Sequence, residues 1–102
     1  MIHADAVRMV RGKSGRSRRK VGNNTWAEIL DDGSVGIVLH NTRVVTIHPD
    51  NTYTLNSGGW HTSTTKDRIN KYSPARVYQS KFEWFVGAVG DGKVRFFDGM
   101  VL

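Results

Sequence analysis

The alternation of apolar and polar residues predicts a series of short β-strands between residues 24 and 57. Runs of β-branched and aromatic residues are separated by turn residues such as Asn41–Thr42 and Pro49–Asp50. Such runs are typical of strands, and Gly, Pro, Asn and Asp between them favour turns. The close spacing predicts an antiparallel meander. Its predicted strands are residues 24–30, 34–40, 43–49 and 51–57.

A two-residue loop at Asn41–Thr42 would set the register of this meander. Residue 39 then lies opposite residue 44, and residue 46 opposite residue 53. A one-residue slip would move every side chain to the other face, so a shared apolar face supports the register. That predicted face contains Val35, Ile37, Leu39, Val44, Tyr53 and Leu55. The other face would carry Val38, Val45, Ile47 and either Trp26 or Ile29, with the register of the first strand left open.

The hydroxyl-rich segment 62–73, TSTTKDRINKYS, predicts a short helix. Thr64 and Asp67 have the spacing of a capping box, and Pro74 follows the predicted end. Ile69 and Tyr72 would be its buried pair. A helix of this length is not stable alone, so it should pack on the sheet.

The C-terminal third returns to strand patterns. Residues 75–79 and 82–87 flank a predicted turn at Ser80–Lys81, and a second turn at residues 90–92 precedes the apolar run at residues 93–97. The fold class predicted from the whole chain is a β-rich α+β domain. It would be an antiparallel meander of about seven short strands with one short helix, either as an open sheet or as a small open barrel.

Charge divides the chain into two parts. Residues 1–20 hold seven Lys or Arg residues against Asp5 alone, which accounts for the whole net charge of +6. Residues 2–11 are compatible with a short helix, but residues 12–20, GKSGRSRRK, lack any apolar side chain and should be flexible in isolation. We therefore predict a basic, flexible arm at residues 1–19 and a single small domain at residues 20–102.

The composition excludes several classes of function. The absence of cysteine excludes disulfides, thiolate catalysis and cysteine-bound zinc. No apolar run approaches the ~18 residues of a membrane span, so no membrane partner is expected. The predicted register separates His40 from His48, and no catalytic triad or carboxylate pair is present. We expect a protein that is not an enzyme, with no catalytic residues, metal ligands or cofactor.

The stretch LNSGGWHTSTTK, residues 55–66, is the most unusual local motif. Gly58 and Gly59 permit positive φ angles or close backbone approach. Hydroxyls at a helix start, followed by basic residues, are compatible with anion binding. The alternative is structural: the glycines form a turn, Trp60 fills the core and a hydroxyl caps the helix.

The basic segment indicates nucleic-acid binding, since clustered Lys and Arg residues gain affinity for phosphates by counterion release. The helix after the glycine turn adds three further cations. The residues predicted to contact nucleic acid or an anion are Lys13, Arg16, Arg18, Arg19, Lys20, Gly58, Gly59, Trp60, Thr64, Lys66, Arg68 and Lys71. The ten aromatic side chains are expected to lie mostly in the core, with base stacking as the alternative.

From Lys20 onwards, the chain resembles a family of small uncharacterised proteins of bacteriophages and some bacteria. The segments that carry the resemblance are residues 20–25 (KVGNNT), 39–74, 76–79 (RVYQ), 84–86 (WFV) and 96–102 (FFDGMVL). The stretch LNSGGWHTSTTKDRIN within residues 39–74 would be a family signature. The resemblance implies a viral origin and the cytoplasm of a bacterial host, but it implies no activity. Members of that family begin close to KVGNNT, so the basic arm is expected to depart from the family pattern.

Three main hypotheses for function remain open on the sequence, besides a structural role in the virion, which would predict higher-order assembly. The favoured one is an accessory protein that binds DNA or RNA through the arm and the helix. The second is a small inhibitor that binds a host protein, such as a defence nuclease complex. The third is a binder of a nucleotide or phosphorylated ligand at the Gly58–Gly59 turn.

Overall fold

The computed structural model describes residues 1–87 and 94–102, which form two antiparallel sheets and two helices. In chain order, the elements are α1 (His3–Arg11), β1 (Arg18–Gly22), β2 (Thr25–Ile29), β3 (Val35–Leu39), β4 (Thr42–Ile47), β5 (Tyr53–Leu55), α2 (Ser63–Tyr72), β6 (Val77–Ser80), β7 (Glu83–Val86), β8 (Val94–Arg95) and β9 (Met100–Val101). The predicted turn at residues 90–92 lies outside the described residues.

The larger sheet has the strand order β1-β2-β3-β4-β5-β9, and the smaller one has the order β6-β7-β8. Every neighbouring pair is antiparallel, and β1 to β5 follow one another as hairpins. The prediction of a β-rich α+β meander is therefore confirmed. The larger sheet is open, with β1 and β9 at its edges, and the described residues form no closed barrel. They contain two helices, whereas the sequence predicted one.

The predicted register of β3 and β4 is wrong, by two residues beside the loop and by one residue beyond the bulge. The loop is His40–Asn41, with Leu39 opposite Thr42, and His40 takes the positive φ of 54° that such a turn requires. A bulge between residues 37 and 38 then shifts the pairing. The bulge inserts an extra residue into β4, so Val44 and Val45 are both fully buried although they are consecutive.

The bulge also changes which residues share a face. Val45 and Ile47 belong to the inner face, where they pair with Ile37 and Val35. Tyr53 and Leu55 join this face from β5. Ala27 of β2 lies opposite Ile37, which places Trp26 on the outer face and Ile29 on the inner one.

Helix α1 covers the inner face at its β1 end, contacting β1, β2 and β3. Its Ala6 and Val10 have no exposed surface and belong to the common core. The Tyr53 hydroxyl donates to the Met1 carbonyl at 2.6 Å, and the His3 imidazole lies 2.6 Å from the Gly33 carbonyl. The N-terminal residues are thus held by both packing and hydrogen bonds.

The structure therefore departs from the expectation of a flexible arm at residues 1–19. Ala6 and Val10 lie one turn apart, and the sheet offers them an apolar face to cover. Residues 18–22 pair with β2 as an edge strand that the sequence analysis missed. The Asn23–Asn24 turn between two strand-compatible segments is the signal that could have identified it.

Helix α2 lies between the two sheets and contacts β3, β4 and β6. Its N-cap is Thr62, whose hydroxyl accepts from the Thr65 N–H, so the predicted Thr64–Asp67 capping box is wrong. Ile69 and Tyr72 are buried, as predicted. The helix thereby joins the core of the larger sheet to β6 and β7.

The β6–β7 loop is Lys81–Phe82, one residue later than predicted, with Ser80 opposite Glu83. Val77, Trp84, Val86 and Phe96 bury their side chains in the core cluster that also contains Ile69. The smaller sheet is therefore packed on the same core as α2.

Candidate functional site

Most of the basic residues of the N-terminal segment lie on ordered elements. Arg8 and Arg11 are in the last turn of α1, Lys13 and Arg16 follow in the connection to β1, and Arg18 and Lys20 are on β1. Every residue from Arg11 to Lys20 is exposed. We define the basic surface as Arg8, Arg11, Lys13, Arg16, Arg18 and Lys20.

Three cations of the basic surface have no partner among the described residues. No hydrogen bond or ion pair within residues 1–87 and 94–102 engages the side chain of Arg11, Lys13 or Lys20. Arg8 pairs with Asp5 at 3.3 Å, and Arg16 donates to the Ser14 hydroxyl at 2.9 Å. Exposed contacts of this kind contribute little and exchange readily, so these cations are also accessible to an anion.

The outer face of the sheet extends the basic surface with an aromatic ring. The Arg18 guanidinium lies 4.2 Å from the centroid of the Trp26 ring, and Lys20 is opposite Trp26 in the strand register. Glu28 pairs with Arg18 at 3.7 Å and with Arg43 at 3.1 Å. Two arginines therefore share one carboxylate, which leaves this part of the face positive.

Arg19 differs from its neighbours because it faces α1. Its guanidinium donates to the Met9 carbonyl at 3.1 Å. A cation at the last turn of a helix satisfies a free carbonyl and complements the helix dipole. Arg19 was predicted as a nucleic-acid contact, and the structure gives it this additional positioning role.

The Gly58–Gly59 turn leads the chain out of β5 towards α2. The φ angles of 62° and 84° lie in the region that favours glycine, and a Cβ on Gly58 would lie 2.7 Å from the Thr42 side chain. The Ser57 N–H and hydroxyl both donate to Asp98 Oδ1, at 2.8 and 2.7 Å. The close approach to Thr42 and the hydrogen bonds to Asp98 thus both restrict the conformation of the turn.

Trp60 does not fill the core, and the structural interpretation of this residue is wrong. Its side chain is 66% exposed. The neighbouring His61 packs instead, stacking on Trp84 with a centroid distance of 4.4 Å. The stack holds the corner against β7 and leaves the indole of Trp60 at the surface.

The cations of α2 do not form one continuous row. Lys66 lies 5.8 Å from the Trp84 ring centroid, and Lys71 lies 5.5 Å from that of Tyr72. Arg68 pairs with Asp67 and donates to the Thr25 hydroxyl at 2.9 Å, tying α2 to β2. Arg68 is therefore largely occupied by structural contacts.

A cleft of about 470 Å³ lies between the β3–β4 loop and the start of α2. We call it the corner cleft. None of the described residues that line it is Lys, Arg, Asp or Glu. They are Leu39, His40, Asn41, Thr42, Val44, Ser57, Trp60, Thr62, Thr64 and Thr65. Its volume lies within the range of small-molecule sites.

The expectation that most aromatic side chains lie in the core is wrong. Tyr53, Tyr72, Trp84 and Phe96 are buried, whereas Phe82 and Phe97 are 94% and 59% exposed. Phe82 is at the tip of the β6–β7 hairpin, where the turn directs its side chain into solvent. Sequence alone could not find this, because the same residue type serves cores and exposed contact surfaces.

The side chain of His48 has two structural partners. The two ring nitrogens of His48 lie 3.1 Å from the Ser34 hydroxyl and 2.7 Å from the Thr54 hydroxyl. Asp50 accepts from the Thr52 hydroxyl and N–H within its turn, which lowers the pKa of Asp50. In the part of the chain that the structure describes, no three His, Cys, Asp or Glu residues are grouped to hold a metal ion.

Comparison with known proteins gives a match to a protein family. A family profile described as Kyanoviridae Gp96 protein matches residues 2–102. No curated protein and no solved structure matches the chain. The match includes the basic segment, contrary to the expectation that this segment departs from the family pattern. Within the described residues, no helix has the length and apolar character to cross a membrane.

Proposed function

The chain belongs to the Kyanoviridae Gp96 protein family, a family of phage proteins. We propose that it is a non-enzymatic accessory protein that binds nucleic acid. Phage genes act inside the infected cell, so the proposed setting is the cytoplasm of the bacterial host. DNA and RNA are both phosphate polymers and are both candidates.

The observation that carries the proposal is the basic surface. Its cations lie on α1, on β1 and on the connection between them, and three of them have no partner among the described residues. Each cation that neutralises a phosphate releases condensed counterions, which is the main source of affinity in non-specific binding. Because α1 and β1 are anchored to the core, these cations are held together rather than spread along a flexible tail.

Trp26 supports a preference for single strands. A solvent-facing sheet that combines an aromatic ring with basic residues offers a stacking platform next to phosphate contacts. The Arg18 guanidinium lies over the indole, Lys20 is opposite Trp26 in the strand register, and Arg43 lies nearby on β4. This arrangement would bind bases by their faces and would not depend strongly on sequence.

The test is fluorescence anisotropy with labelled single- and double-stranded DNA and RNA over a salt series. The variant Arg11→Ala with Lys20→Ala removes two charges from the basic surface. The variant Arg76→Ala with Lys81→Ala is a matched control, because it also removes one Arg and one Lys, both exposed. We expect the first variant to lower the slope of log affinity against log salt by about 1.4 units for single strands, and we expect the control to leave it unchanged.

Other outcomes would contradict the proposal. Absence of binding at low salt would exclude nucleic acid as the partner, and an equal loss in both variants would show a general charge effect. The variant Lys66→Ala with Lys71→Ala tests the cations predicted on α2. A loss confined to that variant would move the interface from the basic surface to α2.

The exposed aromatic side chains favour a second candidate, the binding of a host protein. Trp60, Phe82 and Phe97 are all more than half exposed, and such residues are enriched at protein interfaces. A stoichiometric complex isolated from nuclease-treated host lysate, and lost on Phe82→Ala, would support this candidate. Nuclease sensitivity of the complex would favour nucleic acid.

A further inference from the structure

We infer that the corner cleft binds a nucleobase, supplied either by a free nucleoside or by an unstacked position of a single strand. The single-strand source rests on the proposed function, whereas nucleoside binding does not. The inference deepens the proposal by naming a site and a ligand class that the basic surface does not provide.

Trp60 provides the stacking surface. The indole lines the cleft and is 66% exposed, so one face of a planar ring is available to a ligand. Its backbone is fixed, because its N–H donates to the Ser57 carbonyl and its carbonyl accepts from the Thr62 N–H. Because the backbone is already ordered, stacking on the indole requires only the side chain to be immobilised.

The rest of the cleft suits a flat, neutral ring with polar edges. The buried side chains of Leu39 and Val44 form an apolar floor. Asn41 and Thr64 lie at the exposed rim, and no hydrogen bond within the described part of the chain engages either side chain. An amide offers both a donor and an acceptor, which matches the hydrogen-bonding edge of a base.

The same contacts argue against a phosphate in the cleft. The described lining contains no cation, and Lys66 of α2 is directed to the Trp84 ring. The start of α2 is partly satisfied internally, since Thr62 accepts from the Thr65 N–H and the two hydroxyls lie 3.0 Å apart. A neutral heterocycle is therefore favoured over the phosphate group that the glycine turn suggested.

A base in a duplex is stacked and paired, so it would have to flip out of the double helix to reach the corner cleft. A base in a single strand is already free to do so. The cleft therefore predicts tighter binding of single strands than of duplexes of equal charge. The cations of the basic surface, without Trp26, would favour the duplex, which has the greater charge density.

The test follows backbone amide NMR signals of the full chain during titration with adenosine, guanosine, cytidine, uridine and, separately, ribose 5-phosphate. We expect saturable shifts at Asn41 and Thr64 with at least one nucleoside, and none there with ribose 5-phosphate. Trp60→Ala should weaken both nucleoside and single-strand binding about tenfold, the loss expected for one stacked base. Phe97→Ala is the control, since it removes another exposed aromatic ring that does not line the cleft.

The outcomes separate this inference from the proposed function. If no nucleoside shifts the cleft signals, and Trp60→Ala leaves single-strand affinity unchanged while Arg11→Ala with Lys20→Ala lowers it, the cleft is not a base site and the proposed function stands. If nucleosides bind but oligonucleotides do not, the cleft inference stands and the proposed function fails. Equal shifts with ribose 5-phosphate would overturn the inference in favour of a phosphate site. Circular dichroism of Trp60→Ala verifies that its fold is intact.

Discussion

At the residue scale, the shape of the corner depends on a close contact between Gly58 and Thr42. Gly58 combines a φ of 62° with a Cβ position only 2.7 Å from the Thr42 side chain. Gly59 has a φ of 84°, but its Cβ position is open. Substitutions at these two adjacent glycines can therefore separate the effect of backbone strain from the effect of steric overlap.

Gly58→Ala is expected to lower the free energy of unfolding by about 2–3 kcal/mol, since it adds overlap with Thr42 to the strain of a positive φ. Gly59→Ala carries the strain alone and should lose about 1 kcal/mol. Urea unfolding of both variants measures the difference. Equal losses would show that Thr42 does not restrict the turn.

The Lys81–Phe82 turn also carries strain. The φ angles of 51° and 68° are those of a hairpin turn that usually contains Asn and Gly. Phe82→Asn should raise the free energy of unfolding by up to about 1 kcal/mol, because Asn tolerates this conformation. Phe82→Ala removes the ring but keeps the strain, so it should not stabilise. Thermal unfolding compares the two, and equal stabilisation would attribute the effect to the exposed ring instead.

At the element scale, α1 and β1 are parts of the folded domain that carry basic side chains outwards. Ala6 and Val10 bury one side of α1, while Arg8 and Arg11 point to solvent. Strand β1 pairs with β2 and presents Arg18 and Lys20 on the outer face. Packing and charge are thus placed on opposite sides of the same elements.

Val10→Ala is expected to reduce the free energy of unfolding by about 1–3 kcal/mol, because it leaves a cavity under α1. Arg8→Ala, on the exposed side of the same helix, should change it by less than about 0.5 kcal/mol. Chemical denaturation of both variants is the measurement. No effect of Val10→Ala would mean that α1 does not pack on the sheet in solution.

Two aspartates in hairpin loops should make the stability of the fold sensitive to acid. The Ser34 backbone N–H donates to the Asp32 carboxylate and lowers its pKa, and the Thr52 hydroxyl does the same for Asp50. A lowered pKa in the folded state means that the ionised form stabilises the fold above the ordinary value of 3.8, and that this stability is lost as pH falls below it.

Stability measured by urea unfolding should therefore be nearly constant from pH 7 to about 5 and should decline below about 4, as far as these two groups determine it. Asp32→Asn with Asp50→Asn keeps the acceptor oxygens but cannot titrate, so its decline should be shallower. An unchanged acid profile in that variant would assign the decline to other carboxylates.

At the scale of the whole molecule, α2 and the His61–Trp84 stack join the two sheets into one core. Ile69 and Tyr72 are buried in the cluster that also holds Val77 and Ile37. The corner cleft lies where α2 meets the β3–β4 loop of the larger sheet. Its geometry therefore depends on the docking of the helix.

The two sheets should unfold together. Far-ultraviolet circular dichroism reports all strands and helices, whereas the fluorescence of Trp84 reports the packing of β7 against His61, Phe96 and Lys66. In a variant with Trp26→Phe and Trp60→Phe, the two probes should give the same denaturation midpoint. Separate midpoints would show that the smaller sheet detaches before the larger one unfolds.

The sequence by itself determined the strand-rich class, the meander, the position of α2 and the concentration of positive charge before residue 21. These follow from local patterns: β-branched runs, turn residues, a hydroxyl-rich segment followed by an apolar pair and a proline, and simple counting of charges. The position of strands β2 to β7 was predictable to within a few residues for the same reason.

Only the tertiary structure decided the strand register, the ordering of the N-terminal segment as α1 and β1, and the exposure of the aromatic rings. The bulge in β4 depends on how Val44 and Val45 both reach the core. Helix α1 and β1 become ordered because the sheet provides a face and an edge that no local pattern reveals. Trp60 lies at the surface while its neighbour His61 stacks on Trp84, and which of two adjacent rings packs is decided by tertiary contacts and not by a local pattern.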